Sequence, residues 1–220
     1  MTITPPRIVS VRQNILKAND HTAAENRATF QAAGVRAINL ASSPGAGKTA
    51  LLERTLRDLA GGLRMGVAVG DLATENDAAR LRRWGSPAEQ IVTGTICHLD
   101  AGMVQRVLPR FDLGALDVLF LENVGNLVCP SSYDLGEAAR AVLISTTEGE
   151  DKPLKYPTMF NTADVVVITK MDLADAVDFD RELCRENIDR ARPGVPVIEL
   201  SSRSGAGLEA WFAFVRGGTP

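Results

Sequence analysis

The sequence predicts a doubly wound α/β fold with a mostly parallel sheet and an N-terminal helix. Two observations carry that expectation. Short continuous apolar runs alternate with segments of helical periodicity, the pattern of strands that crossover helices cover on both faces. A glycine-rich turn at residues 42–49 separates the first such run from the first long helix. The 220 residues, 45% of them apolar, suffice for one core of this kind.

Taken in order, residues 11–33 read as a helix, with Val11, Ile15, Leu16, Ala24, Ala28 and Phe30 near helical spacing; Gly34 stops it. Residues 1–35 then form a helical arm and residues 36–220 the main domain. Residues 37–41 are a buried strand, and a helix follows from Lys48 to Leu59, broken by Gly61-Gly62. Residues 64–69 are the second strand, and residues 74–84 are helical with Leu81 and Trp84 facing inward. Further strands are expected at residues 116–121, 141–145, 164–168 and 197–200, with amphipathic helices flanking the last two.

Composition narrows the function. A net charge of −3 argues against a broad basic face for nucleic acid. The longest clearly apolar runs, residues 118–121 and 165–168, are strand-length and far short of the ~20 residues of a membrane span. The first residues show no basic-then-apolar signal segment, so the expected location is the cytoplasm. Three cysteines, Cys97, Cys129 and Cys184, do not make a disulfide framework in a chain of this length. Their use is packing, metal or thiol chemistry.

Ser42-Ser43-Pro44-Gly45-Ala46-Gly47-Lys48-Thr49 follows the P-loop pattern, with Ser42 in place of the first glycine. Gly45 and Gly47 let backbone N–H groups curl around phosphate oxygens, and the helix N-terminus adds a favourable dipole. Ser43, Gly45, Ala46, Gly47, Lys48, Thr49 and Ala50 are the candidate phosphate contacts. Lys48 suits the β- and γ-phosphates and the Thr49 hydroxyl suits Mg²⁺. A turn that merely caps a helix is the bland alternative, and the strand–loop–helix order argues against it. Glu122 ends a strand where a carboxylate can hold the Mg²⁺ shell, and Gly125 follows, resembling the Asp-x-x-Gly switch of GTPases with the carboxylate exchanged. Asp71 and Asp77 are further catalytic candidates, for the metal shell or for positioning water; a helix cap or a solvated carboxylate is equally open for each.

Thr169-Lys170-Met171-Asp172 resembles the Asn-Lys-x-Asp guanine motif, with threonine for asparagine. The Asp172 carboxylate accepts guanine N1–H and the 2-amino group. Adenine offers neither, and a carboxylate left unpaired rejects ATP. Lys170 covers the base face, and Ser201-Ser202-Arg203 follows the last strand where GTPases close the pocket. The expectation is a P-loop GTPase using GTP/GDP and Mg²⁺.

Cys97-His98 reads as opening a helix that runs through Val104 and Val107, and Cys129 ends the segment that begins at Glu122. Thiolate and imidazole suit Ni²⁺ or Zn²⁺. Adjacent residues on a helix make an awkward chelate, which a two-fold dimer relieves by bringing two ligand sets together. Cys184, on a later helix, reads as structural.

With these residues in view, the chain resembles the hydrogenase nickel-incorporation GTPases, the HypB family in the SIMIBI class of P-loop proteins. The resemblance is carried by residues 42–49, Gly70-Asp71, Asp77-Ala78, Cys97-His98-Leu99-Asp100-Ala101, residues 122–130, residues 145–150 and residues 169–173. A leading-helix motif, Ile15-Leu16-Lys17-Ala18-Asn19-Asp20 through Glu25-Asn26-Arg27, adds to it. It implies a nickel metallochaperone with slow GTP turnover, a GTP-promoted homodimer, and a nickel or zinc site at Cys97, His98 and Cys129. Its implied partners are a small zinc-containing hydrogenase maturation protein and the large subunit of [NiFe]-hydrogenase. Residues 1–35 hold no cysteine and only His21, so the N-terminal Cys-x-x-Cys-Gly-Cys site and the His-rich store of some members are not expected. The urease nickel-insertion GTPase is the nearest alternative, but its metal motif is Cys-Pro-His. A small-molecule phosphotransferase would need an acceptor pocket, and a nucleotide-gated scaffold would bind no metal.

Overall fold

The computed structural model describes residues 7–71 and 76–218. Among these, α1 (Arg7–Ala33) leads into β1 (Arg36–Ser42), α2 (Lys48–Leu59), β2 (Met65–Asp71), α3 (Asn76–Arg82) and β3 (Ala88–Val92). Then come α4 (Ala101–Val107), β4 (Val118–Glu122), β5 (Ala139–Ser145), α5 (Lys152–Lys155) and α6 (Pro157–Asn161). The chain closes with β6 (Val165–Thr169), α7 (Arg181–Ala191), β7 (Val197–Glu199) and α8 (Leu208–Val215). All strand pairs are parallel, in the order β3-β2-β4-β1-β5-β6-β7. This is the doubly wound sheet the sequence predicts.

Register lines up the chemistry. Glu122 at the end of β4 pairs with Leu40 on β1 and with Val69 on β2, two residues short of Asp71. Thr169 at the end of β6 pairs with Ser145. The functional candidates therefore collect beyond the carboxyl ends of the strands, where open α/β sheets bind ligands.

One face of the sheet packs under α2, α3 and α8, with Ile38, Leu40, Leu51, Leu56, Phe120 and Trp211 at its centre. Trp211 is fully buried, and its indole N–H donates to the Thr55 hydroxyl at 2.8 Å, so the ring is buried without an orphaned donor. The other face carries α1 and α4 over Phe30, Leu99, Val104, Leu119 and Leu121, and α6 and α7 over Phe160, Val166, Cys184 and Ile188. Cys184 is fully buried there and its thiol is pushed up to about 12, chiefly by burial, which keeps it a packing residue.

Four readings change. The strand β3 lies at the sheet edge where no element was expected, because Glu89 and Gln90 interrupt its apolar pattern. Trp84 does not face inward: α3 ends at Arg82, and the indole is 38% exposed beneath the Arg57 guanidinium, 5.8 Å from the ring centre. The start of that helix at residues 74–75 lies outside the described residues. The face of α1 against the core is Asn19, Ala23, Asn26 and Phe30, whereas Val11 and Ile15 are half exposed and Ala24 and Ala28 exposed. Finally, Cys97 and His98 do not open α4. They lie in the loop before it, and Asp100 is the cap, its carboxylate accepting from the Met103 N–H at 2.7 Å.

Candidate functional site

The P-loop leaves β1 at Ser42 and turns into α2 through Gly47, whose φ of 95° is one that residues with a Cβ rarely adopt. The Lys48 ammonium donates to the Ser42 hydroxyl at 2.9 Å, so the serine in place of the first glycine serves as the lysine's resting partner. Burial holds Lys48 below its ordinary value, opposed by Glu122, Glu148 and Asp77. The Thr49 hydroxyl donates to Glu122 Oε1 at 2.6 Å. Glu122 Oε2 is buried and has no hydrogen-bond partner among the described residues. Burial pushes this carboxyl up to about 7, against the pull of Lys48 and Thr49. A hydroxyl and a carboxylate with one orphaned oxygen are the hard donors that Mg²⁺ takes, so the residues fit that ion.

A cavity of about 430 Å³ opens over these groups, lined by Gly45, Lys48, Thr49, Asp71, Asp77, Glu122 and Gly125 among others. It brings Asp71 and Asp77 together with the P-loop. Arg80, which the sequence reading missed, lines it too and pairs with Glu53 at 2.6 Å and Asp77 at 3.2 Å. Its only sequence signal was the i,i+3 spacing from Asp77 on a helix.

At the end of β6 the Thr169 hydroxyl donates to the Ala46 carbonyl at 2.6 Å, tying the base motif to the P-loop. Threonine thus supplies an anchor in place of the missing asparagine amide. Lys170 has φ 58°, an uncommon conformation for a residue with a side chain, and its carbonyl accepts from the Thr146 hydroxyl at 3.0 Å. Asp172 accepts from the Ser201 hydroxyl at 2.6 Å, so the residues placed at the two ends of the base pocket meet. Ser202 and Arg203 take a different position: they line a hollow of about 270 Å³ with Ala50, Arg54, Arg57 and Trp84.

Cys97, His98 and Cys129 converge. Their ligand atoms all lie within 4.8 Å of one another, and Cys97 Sγ is 3.1 Å from Cys129 Sγ. The expectation that Cys97-His98 is an awkward pair without a second subunit fails, because the loop, unlike a helix, turns both side chains to one point within one chain. His98 Nδ1 is buried without a partner among the described residues, and the ring lies 4.1 Å from that of Tyr133. Burial holds the imidazole below its ordinary value, against Asp100, and so neutral as a metal ligand must be. Two soft thiols and an imidazole suit Ni²⁺ or Zn²⁺. The segment from Glu122 to Cys129 is wired to the Cys97 loop: Asn123 Oδ1 accepts from the Leu99 N–H at 3.0 Å, and the Asn126 amide donates to the Cys97 carbonyl at 3.3 Å.

No helix among the described residues is long and apolar enough to cross a membrane. The family model for the CobW/HypB/UreG nucleotide-binding domain matches residues 36–199. The hydrogenase maturation factor HypB of Azotobacter vinelandii is 49% identical over 213 residues, covering 97% of this chain and 70% of that protein. The solved structure of hydrogenase maturation factor HypB from Archaeoglobus fulgidus superposes with a TM-score of 0.86 at 40% identity, covering 91% of this chain and 98% of that one. The structure of HypB from Helicobacter pylori in complex with nickel gives a TM-score of 0.84 at 42% identity, covering 90% and 93%.

Proposed function

The chain belongs to the HypB family of the CobW/HypB/UreG nucleotide-binding domains, and from that premise we propose that it is a GTP-hydrolysing nickel metallochaperone for [NiFe]-hydrogenase maturation. The observation that carries the reading is the cluster of Cys97, His98 and Cys129 at the end of the segment that starts at Glu122. The Helicobacter pylori relative solved with nickel supports the choice of cargo. Zinc has the same ligand preferences and can compete for the site.

GTP enters with its phosphates against the backbone N–H groups of Ser43, Gly45, Ala46, Gly47 and Ala50, beside Lys48 and Thr49. Thr49 and Glu122 hold Mg²⁺, which when bound offsets charge on the β- and γ-phosphates. Lys48 leaves the Ser42 hydroxyl for the γ-phosphate. Asp172, oriented by Ser201, accepts the two guanine N–H groups while Thr169 keeps the base motif against the P-loop and Lys170 covers the ring. Asp71 and Asp77 face the cavity where the attacking water stands, and hydrolysis gives GDP and phosphate. Turnover is slow, since the cavity's arginine, Arg80, is held by Glu53 and Asp77 rather than free to meet the γ-phosphate.

Nickel sits at Cys97, His98 and Cys129. Contacts that the nucleotide makes at Glu122 pass through Asn123 and Asn126 to the ligand loops, so GTP and GDP states hold the cargo with different affinity. That difference limits the coupling. The GTP state forms a homodimer, and the cargo moves, with a small zinc-containing maturation protein, to the hydrogenase large subunit in the cytoplasm. Cys129→Ala is the test. GTP affinity should stay within about twofold while Ni²⁺ affinity falls by 100-fold or so, as loss of a ligand demands. Equal loss of both would make Cys129 a packing residue and favour the scaffold reading.

A further inference from the structure

The leading-helix motif belongs to neither the nucleotide cavity nor the metal ligands, yet two of its residues are buried asparagines that touch both ligand-bearing loops. Asn19 and Asn26 are 8% and 1% exposed and share one face of α1 with Ala23 and Phe30. Asn19 Oδ1 accepts from the Ala101 N–H at 2.9 Å, and its amide donates to the Asp134 carbonyl at 2.8 Å. The Asn26 amide donates to the Ala101 carbonyl at 2.9 Å and to the Leu135 carbonyl at 3.1 Å. Ala101 closes the loop that carries Cys97 and His98, and Asp134 and Leu135 follow the turn that carries Cys129. Each amide therefore staples one ligand loop to the other.

The surroundings hold these staples in register. Arg27 donates to both carboxylate oxygens of Asp134, at 2.8 and 2.7 Å. A Cβ on Gly136 would lie 2.6 Å from the Ala23 carbonyl, so the backbone after Leu135 rests directly on α1. Tyr133, the residue before Asp134, packs its ring against His98 at a tilt of 33°. A ligand loop can shift only if these bonds break, and the buried amide would then lose its partners.

We propose that Asn19 and Asn26 are positioning residues of the metal site: by fixing the spacing of the two loops they set the geometry that Cys97, His98 and Cys129 offer to an ion. The helix is then part of the metal centre although it supplies no ligand. The bland alternative is that the amides only satisfy the backbone at the start of α4 and dock α1. A docking role alone changes stability, whereas a positioning role changes the spectrum of the bound metal.

This inference rests on the metal reading above, and the experiment separates the two. Co²⁺ and Ni²⁺ are titrated into the full chain with GDP, following thiolate charge-transfer and Co²⁺ d–d absorption, in the unmodified protein and in Asn19→Ala, Asn26→Ala and Phe30→Leu. Phe30→Leu loosens the packing of α1 without removing either amide. Asn19→Ala should lose about 10-fold in metal affinity and shift the d–d bands, with GDP affinity unchanged, while Phe30→Leu keeps the bands. Asn26 is the more buried; if its variant does not fold, Asn19→Ala alone decides. Bands in the unmodified protein that Asn19→Ala leaves in place, or that Phe30→Leu shifts equally, overturn the inference alone. No band in the unmodified protein overturns the metal site and the inference together.

Discussion

The Asn123 side-chain oxygen accepts a hydrogen bond from the Leu99 backbone N–H at 3.0 Å. Asn123 follows Glu122 directly and Leu99 follows His98 directly, so this bond joins the end of β4 to the loop that carries Cys97 and His98. The same oxygen accepts from the Val124 N–H, and Leu99 itself packs against Gly70, where a Cβ would lie 2.8 Å from the leucine side chain. The residue after Glu122 is thus bonded to the residue after His98.

Asn123→Ala removes that connection and leaves the Leu99 N–H buried and unpaired, a local cost of about 1–3 kcal/mol. The chain should still bind GTP and Ni²⁺ separately. The ratio of Ni²⁺ affinities between the GTP-analogue and GDP states should fall toward one, measured by parallel calorimetric titrations. A ratio equal to that of the unmodified protein would place the coupling elsewhere.

Gly125 tests the contact between the switch segment and the P-loop. A Cβ there would lie 2.8 Å from Pro44 Cα and 2.9 Å from its nitrogen, backbone atoms that cannot swing aside. Gly125→Ala should push the two loops apart and weaken the GTP analogue by roughly 10-fold, about 1.4 kcal/mol. Nucleotide affinity measured by fluorescent-analogue displacement checks this, and unchanged affinity would show that the loops part freely.

Glu122 should give the nucleotide- and metal-free protein a distinctive pH dependence. Its folded-state value is about 7 against an ordinary 4.5, so the folded chain holds the proton more tightly than the unfolded one. The resulting stability is full below about 4.5, is lost as pH rises to about 7, and is on the order of 3 kcal/mol. Glu122→Gln keeps the shape without the titration. Urea unfolding of both proteins should show their stability difference changing in the unmodified protein's disfavour across that interval and flat above it. A difference constant with pH would mean that the carboxyl titrates alike in the folded and unfolded chains.

Asp172→Ala leaves the Ser201 hydroxyl without its carboxylate and the guanine N–H groups without an acceptor. GTP affinity should fall by about 100-fold while ATP affinity changes little, so discrimination collapses. Competition between the two nucleotides reads it directly, and retained preference for GTP would move guanine recognition away from this residue.

Much of this was legible because the chemistry is written in contiguous motifs. Residues 42–49, 122–130 and 169–172 each carry their loop, strand end and functional groups together, and the long apolar strands give the sheet away. What depended on tertiary placement was not legible. Among the described residues the edge strand β3 pairs with β2 alone, and its residues alternate too weakly to declare it. Asn19 and Asn26 look like surface polar residues in a helix pattern, and only the loops they meet explain their burial. The cluster of Cys97, His98 and Cys129 was legible by residue type, but its loop conformation was not, because Asp100 rather than Cys97 starts the helix. Arg80 is spoken for by two carboxylates from different helices, one of which no local pattern reveals.

The proposed function turns on the nucleotide state setting the hold on a nickel ion at Cys97, His98 and Cys129. Ni²⁺ titrated into the protein with a non-hydrolysable GTP analogue, and again with GDP, tests it through thiolate-to-nickel charge-transfer absorbance. The expected result is a saturable band in both states, shifted to about 100-fold higher Ni²⁺ in Cys129→Ala, with affinities that differ between the nucleotides. Identical affinities would remove the switch, and no band in either state would contradict the nickel site itself.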